Sequence, residues 1–194
     1  MVVESYRKAF FFDDSAPLVA TARAGNVIGG GDWSEDRLIP DVIRAVKQNE
    51  SAAIRSPHAT RPWQHVLDCL GGYLLLGRHL LSGKRDFAQA WNFGPVSEDN
   101  RAVCSLLSTL QQYWPEIRWH TCEGSLHESK FLNVDSSKAR SHLGWKPVWD
   151  LGTALKLTAA WYQHHHRTNR ALTCEQITNY MSTAVQSSCS WLNS

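Results

Sequence analysis

Several signatures that would assign a function at sight are missing from this chain. No apolar run approaches the roughly 18 residues that a membrane-spanning helix needs. Glu4, Arg7 and Lys8 interrupt the apolar stretch from Met1 to Phe12, so that segment does not read as a signal peptide. An excess of one charge is missing too. The 20 Lys+Arg against 18 Asp+Glu leave a formal net charge of +2, which demands neither a nucleic acid nor an anionic membrane as partner. Cysteine is sparse and scattered: Cys69, Cys104, Cys122, Cys174 and Cys189 form no C-x-x-C pair. That pattern excludes a zinc ribbon or thioredoxin-like motif and suits reduced thiols in a cytoplasmic protein.

Catalytic signatures fall short as well. There is no G-x-S-x-G elbow. The Gly29–Gly31 cluster misses the dinucleotide pattern G-x-G-x-x-G, because the third glycine position falls on Ser34. Gly77 to Arg85 is one residue too long for a Walker loop, and Arg85 stands where a magnesium-binding Ser or Thr is needed. His164-His165-His166 resembles a metal cluster, but helical neighbours point about 100° apart and cannot share one ion. The triplet reads as a solvated helix end. None of Tyr6, Tyr73, Tyr113, Tyr162 and Tyr180 is followed four residues later by lysine.

What is present describes an ordinary folded chain. It has 194 residues, 43% of them hydrophobic and 20% charged, enough for one domain or one and a fragment. Nine tryptophans put large flat side chains in a core or around a ligand. Both periodicities alternate along the chain, so the fold class is α/β, compact and strand-poor. Leu18 to Ala22 reads as a buried strand, and Asn26 to Trp33, with Gly29, Gly30 and Gly31, as a loop. A helix from Pro40 puts Val42, Ile43 and Val46 on one face. After a loop from Ser56 to Pro62, the stripe Leu67, Leu70, Leu74 and Leu81 predicts a helix, with Gly77 on the same face for close backbone approach.

A strand is predicted at Ala90–Gly94, an amphipathic helix through Val103, Leu106, Leu107, Leu110 and Tyr113, and a half-exposed strand at Ile117–Thr121. Asp135 or Ser136 caps a short helix that Gly144 stops. Leu151, Leu155, Thr158 and Tyr162 mark the next helix. Thr173 with Gln176 forms a capping box for the last, with Ile177, Tyr180, Met181 and Ala184 inward.

Polar residues gather at the ends of the predicted strands. Arg23 and Asn26 follow the first, Arg37 lies between the glycine loop and the next helix, and Arg61 precedes Trp63 and His65. Asn92 closes another strand, and His127-Glu128 precede one at Phe131. Ligands of open α/β sheets bind beyond the carboxyl ends of the strands. Arginines there can hold a diphosphate bidentately, and asparagines can bond sugar hydroxyls.

These residues carry a family resemblance. Thr21-Ala22-Arg23-Ala24-Gly25-Asn26-Val27-Ile28-Gly29-Gly30-Gly31-Asp32-Trp33, followed by Asp36-Arg37-Leu38-Ile39-Pro40, resembles the R-x-x-N-V-x-G segment of extended short-chain dehydrogenases. The G-G-G-D-W variant, Arg55 to Val66, and Trp91-Asn92-Phe93-Gly94-Pro95 resemble one subgroup, the CDP-glucose 4,6-dehydratases. His127-Glu128, Asp135 to Ala139 and Leu143-Gly144-Trp145-Lys146-Pro147 fit the same family, so the likeness runs from about Tyr6 to Tyr180.

The resemblance implies the C-terminal part of such an enzyme: a partial Rossmann-type parallel sheet plus a small α/β substrate-binding lobe. Residues 1–35 would be the tail of the NAD-binding domain. Residues 36–194 would be mainly the lobe, with short returns to the sheet around 61–95. Family members convert CDP-glucose to CDP-4-keto-6-deoxyglucose with NAD, using a Y-x-x-x-K pair as base, for deoxysugars of bacterial surface polysaccharide. That pair and the glycine fingerprint are absent from this sequence, so no catalytic residue is assigned and the chain alone is expected to be inactive. By position, Asn26, Arg37, Leu38, Arg61, Asn92 and His127 match substrate contacts, and Ala24 matches a backbone contact to the nicotinamide. A separately encoded N-terminal half or a second copy would be its partner. Two other readings stand beside this one: another nucleotide-sugar dehydratase or epimerase, and a non-catalytic binding or assembly module.

Overall fold

In the computed structural model, residues 2–13, 15–122, 129–187 and 189 are described. The chain opens with helix α1 (Val2–Phe10), then strands β1 (Thr21–Ala24) and β2 (Asn26–Ile28), separated by Gly25 alone. Helix α2 (Leu38–Lys47) leads to β3 (Ala52–Ile54), β4 (Thr60–His65) and the long α3 (Val66–Leu81). Strands β5 (Ala90–Phe93) and β6 (Asn100–Ala102) flank a single 3₁₀ turn, and α4 (Val103–Tyr113) and β7 (Trp119–Thr121) follow. Helices α5 (Ser137–Leu143), α6 (Leu151–Thr168) and α7 (Thr173–Gln186) complete the fold.

The strands form three small sheets. β1 pairs in parallel with β5, and β3 in parallel with β7. In the third sheet β4 lies centrally, parallel to β2 on one side and antiparallel to β6 on the other. The sheets bury two hydrophobic clusters. The larger cluster joins Ile28, Trp63 and the β3 side chains to α2, α4 and α6, with Ile43, Leu107 and Tyr162 fully enclosed. The smaller joins β5 to α3 and α5 through Phe93, Trp91, Leu76 and Trp145. Gln64 of β4 ties the two together by donating to the Phe93 carbonyl at 2.8 Å inside the protein. The tryptophans thus serve chiefly the core: Trp63, Trp91, Trp114, Trp145, Trp149 and Trp161 are all buried.

Several expected elements are shifted for identifiable reasons. The first strand lies at Thr21–Ala24 rather than Leu18–Ala22, where it can pair with β5, and it is not buried. α2 begins two residues before Pro40, which occupies its first turn. The loop expected up to Pro62 is strand from Thr60 onward, and β4 passes into α3 with no loop between. At Phe131 only an isolated bridge to Thr60 forms.

The expected inward stripe of α3 faces outward: Leu70, Leu74 and Leu81 are 45%, 75% and 91% exposed. Asp68, Cys69, Gly72, Leu75, Leu76 and His79 are buried instead. Gly77 meets nothing within 4 Å, and Gly72 is the close approach, since a Cβ there would lie 2.3 Å from the Phe93 ring. The capping box of α7 does not form. Thr173 Oγ1 accepts from Trp161 Nε1 at 3.1 Å, and Gln176 donates to the Leu157 carbonyl at 2.7 Å, so both side chains bind α6. Tyr180 and Ala184 are buried as expected, whereas Ile177 and Met181 are exposed. No helix among the described residues is long and apolar enough to cross a membrane.

Candidate functional site

The site begins where β1 hands over to β2. A Cβ on Gly25 would lie 2.6 Å from the Pro62 carbonyl oxygen, so only glycine lets β4 pass this close to the junction. Asn26 then opens β2 directly opposite Trp63. From the end of β2 the chain loops out and returns through Asp36, whose φ of 56° is left-handed, to Arg37 at the N-terminus of α2.

That loop is held from several sides. Tyr162 donates its hydroxyl to the Asp32 carbonyl at 2.7 Å. Arg44 donates to the Trp33 and Ser34 carbonyls at 3.0 and 3.1 Å and pairs with Asp41. The Trp33 ring packs edge-on against Tyr162 at 5.2 Å, and Lys47 Nζ sits 4.1 Å above its face. Most of these anchors lie on α2 and α6, so the larger core fixes the position of Arg37.

Asn26, Arg37 and Leu38 come together in one hollow of about 170 Å³, which Asp32 and Trp63 also line. Pockets for whole drug-sized ligands run to about 300–1,000 Å³, so this one fits a charged fragment such as a phosphate pair. The Asp32 carboxylate competes for the arginine. Burial works to raise its pKa, but the Ser34 amide and hydroxyl, then Arg37 and Arg44, outweigh burial and hold it below the usual carboxylate value.

The other expected residues lie elsewhere. Arg61, on β4 two positions before Trp63, donates Nη1 to the Thr60 and Ser129 carbonyls at 3.0 and 2.8 Å and does not line the hollow. Asn92 is on β5 opposite Arg23, with its amide donating to the Asp135 carbonyl at 3.0 Å. Ala24 ends β1 opposite Phe93. His127 and Glu128 lie outside the described residues.

Sequence reasoning passed over two buried ionisable groups where β4 enters α3. His65 closes β4 opposite Ile28 and caps α3, accepting the Leu67 amide on Nδ1 at 3.2 Å. Burial pushes its pKa down to about 4, so the ring is neutral. Asp68, one turn on, accepts the Val148 amide at 2.6 Å and the Tyr180 hydroxyl at 3.0 Å. Burial pushes this carboxyl up to about 6. A polar residue at a strand–helix junction full of apolar neighbours was the available signal for both.

For a dinucleotide the fit is poor. Ala24 offers only backbone, already paired in the β1–β5 ladder, and no glycine fingerprint accompanies it. Among the described residues, no group of three or more His, Cys, Asp or Glu could hold a metal ion.

No family model matches the chain. By sequence it is similar to the CDP-glucose 4,6-dehydratase of Salmonella typhimurium, with 37% identity over 194 aligned residues covering 96% of this chain and 54% of that enzyme. The chain thus spans about half the length of the curated relative it matches. Among solved structures, the UDP-glucuronic acid 4-epimerase of Bacillus cereus, in complex with UDP-glucuronic acid and NAD, superposes with a TM-score of 0.69 at 18% identity. That match covers 83% of this chain and 48% of the epimerase. The dTDP-glucose 4,6-dehydratase of Bacillus anthracis, in complex with NAD, gives 0.66 at 17% identity, over 87% of this chain and 50% of that one. The UDP-glucose 4-epimerase of Thermotoga maritima, with UDP-glucose, gives 0.67 at 18%, over 86% and 51%. At such identities these structures establish the fold alone. The chain has the fold of the corresponding half of these nucleotide-sugar epimerases and dehydratases and matches in sequence the C-terminal portion of a CDP-glucose 4,6-dehydratase.

Proposed function

We propose that this chain supplies the nucleotide-sugar-binding half of a CDP-glucose 4,6-dehydratase. The observation that carries the reading is the hollow at the β1–β2 junction, where Asn26, Arg37 and Leu38 converge beside the strand that bears Arg61. Arg37 and Arg61 bind the diphosphate, and Asn26 sits at the junction of phosphate and sugar. Leu38 packs beside them, and Asn92 and His127 serve the nucleotide end. Residues 1–35 belong to the cofactor domain and residues 36–194 mainly to the substrate lobe, with returns to the sheet around 61–95.

In the whole enzyme NAD, held by residues outside this chain, would supply the oxidation and reduction of the sugar. The residues of this chain bind and orient the substrate for those events. They contain no Y-x-x-x-K base, so the catalytic groups come from an N-terminal half, continuous with this chain or separate from it. The product is a precursor of deoxysugars in bacterial surface polysaccharide such as lipopolysaccharide O-antigen, made in the cytoplasm.

Calorimetric titration of the purified chain with CDP tests the binding reading, with UDP and dTDP as competitors. CDP is expected to bind in preference to both, and Arg61→Ala to weaken it by about 1.5–3 kcal/mol, the range for a charge-assisted contact. Equal affinities for wild type and Arg61→Ala would remove the arginine from the site. Preference for UDP or dTDP would move the chain to another nucleotide-sugar enzyme.

A further inference from the structure

Two arginines face each other across β4 and β6. In that antiparallel pairing Thr60 lies opposite Ala102, Arg61 opposite Arg101, and Pro62 opposite Asn100. Directly opposed residues project from the same face with Cβ atoms about 4.5–5.5 Å apart, and like charges placed so repel. Trp63, two residues beyond Arg61, shares that face. Its pairing with Asn26 extends the face to the hollow that Arg37 borders.

The backbone at Arg101 is fixed relative to this hollow, because Trp63 Nε1 donates to the Arg101 carbonyl at 3.0 Å. The Arg61 guanidinium is likewise oriented by its bonds to the Thr60 and Ser129 carbonyls. The Arg101 side chain is exposed and borders a neighbouring hollow with Asp99 and Asp150. Burial raises the Asp99 carboxyl, and Arg101 is among the groups that oppose that rise.

Two arginines opposed in this register are suited by a counter-charge that both guanidiniums can share. We propose that Arg101 is a further substrate-binding residue, joining Arg61 across the β4–β6 pair to hold the diphosphate of the nucleotide-sugar. The proposal rests on the reading of Arg61 as a diphosphate ligand. In the ligand-free protein Arg101 shares a hollow with Asp99 and Asp150. With a diphosphate present, its donors turn to the phosphate oxygens, and the charge of two phosphates offsets both arginines. A neutral nucleoside offers no such compensation, and a monophosphate offers only part of it.

Calorimetric titrations with CDP, CMP and cytidine test this on wild type, Arg61→Ala, Arg101→Gln, Arg101→Lys and, as a distant charge control, Lys156→Ala. Arg101→Gln is expected to weaken CDP about 10- to 100-fold, CMP less, and cytidine hardly at all. Arg101→Lys should recover part of the loss, and Lys156→Ala none of it should incur. If Arg101→Gln binds CDP as wild type does while Arg61→Ala is weakened, Arg101 has no such role and the diphosphate reading survives. If neither substitution changes CDP binding, both the proposal and the reading beneath it fall.

Discussion

His65 and Asp68 sit one helical turn apart at the head of α3, and their titrations oppose each other. His65 has its folded pKa lowered to about 4 by burial. Between there and its ordinary value near 6.5, the unfolded chain holds the proton that the folded protein refuses, so stability contributed by His65 is lost as pH falls through that window. Asp68 is the reverse case. Burial raises it to about 6, so its contribution is present at low pH and is lost as pH rises towards and through 6. The distance from the ordinary carboxylate value corresponds to on the order of 3 kcal/mol for Asp68. The two trends largely cancel between about pH 4.5 and 6, so the wild type is expected to show a shallow pH dependence there. Asp68→Asn removes one of them, so its melting temperature should climb with pH through the same interval. It should also exceed the wild-type value at pH 7.5, where the buried carboxylate is charged. Parallel melting profiles for the two proteins would show that Asp68 does not titrate in this way. The acceptor role of Asp68 towards Val148 and Tyr180 survives in the amide, which keeps α7 in place.

At the scale of elements, the contrast between α3 and α4 shows what could be read in advance. α4 carries its apolar residues on one side, with Ser105, Ser108, Thr109 and Gln111 on the other, and Val103, Leu106, Leu107 and Leu110 are buried as their spacing requires. α3 has leucines at 67, 70, 74, 75, 76, 80 and 81, so more than one face reads as inward. The choice between them is made by tertiary contact: Gly72 against Phe93, and the carbonyl of Asp68 accepting Trp145 Nε1 at 3.2 Å. Neither partner lies nearby in the sequence. The capping box of α7 failed for a similar reason, since α6 offered its side chains better partners. The site divides the same way. Arg37 was legible because a glycine loop followed by a helix start places it locally, whereas the pairing of Arg61 with Arg101 depends on a strand register that no local pattern specifies. The α3 assignment makes a paired prediction. Gly72→Ala forces a Cβ into the Phe93 ring and should destabilise the protein by about 1–3 kcal/mol. Gly77→Ala meets open space in mid-helix and should stabilise it by about 0.5–1 kcal/mol. Denaturant melts separate the two, and an equal effect at both positions would contradict the observed helix phase.

For the whole molecule, the uncovered surfaces bear on activity. None of the residues of α1 is buried, and Val2, Tyr6 and Phe10 are exposed along it. Leu74 and Leu81 on α3, with Ile177, Met181 and Val185 on α7, add further apolar surface. β1 pairs only with β5, so among the described residues its other edge carries no strand. Open parallel edges and apolar helix faces ordinarily pack against further strands and helices. The relative from Salmonella typhimurium is nearly twice as long as its matched region, and its unmatched part is of a size to supply them. If the substrate half and the catalytic half meet across these surfaces, the 194-residue chain with NAD and CDP-glucose should form no 4-keto product. It should also bind a hydrophobic dye and self-associate, as exposed apolar patches do. Co-expression with the unmatched N-terminal portion of the Salmonella enzyme should give a soluble complex, suppress the dye signal and restore product formation. Product from the chain alone would show that its own residues carry the chemistry. A complex that forms yet stays inactive, with CDP still bound by the chain, would favour a binding or assembly module over half of an enzyme.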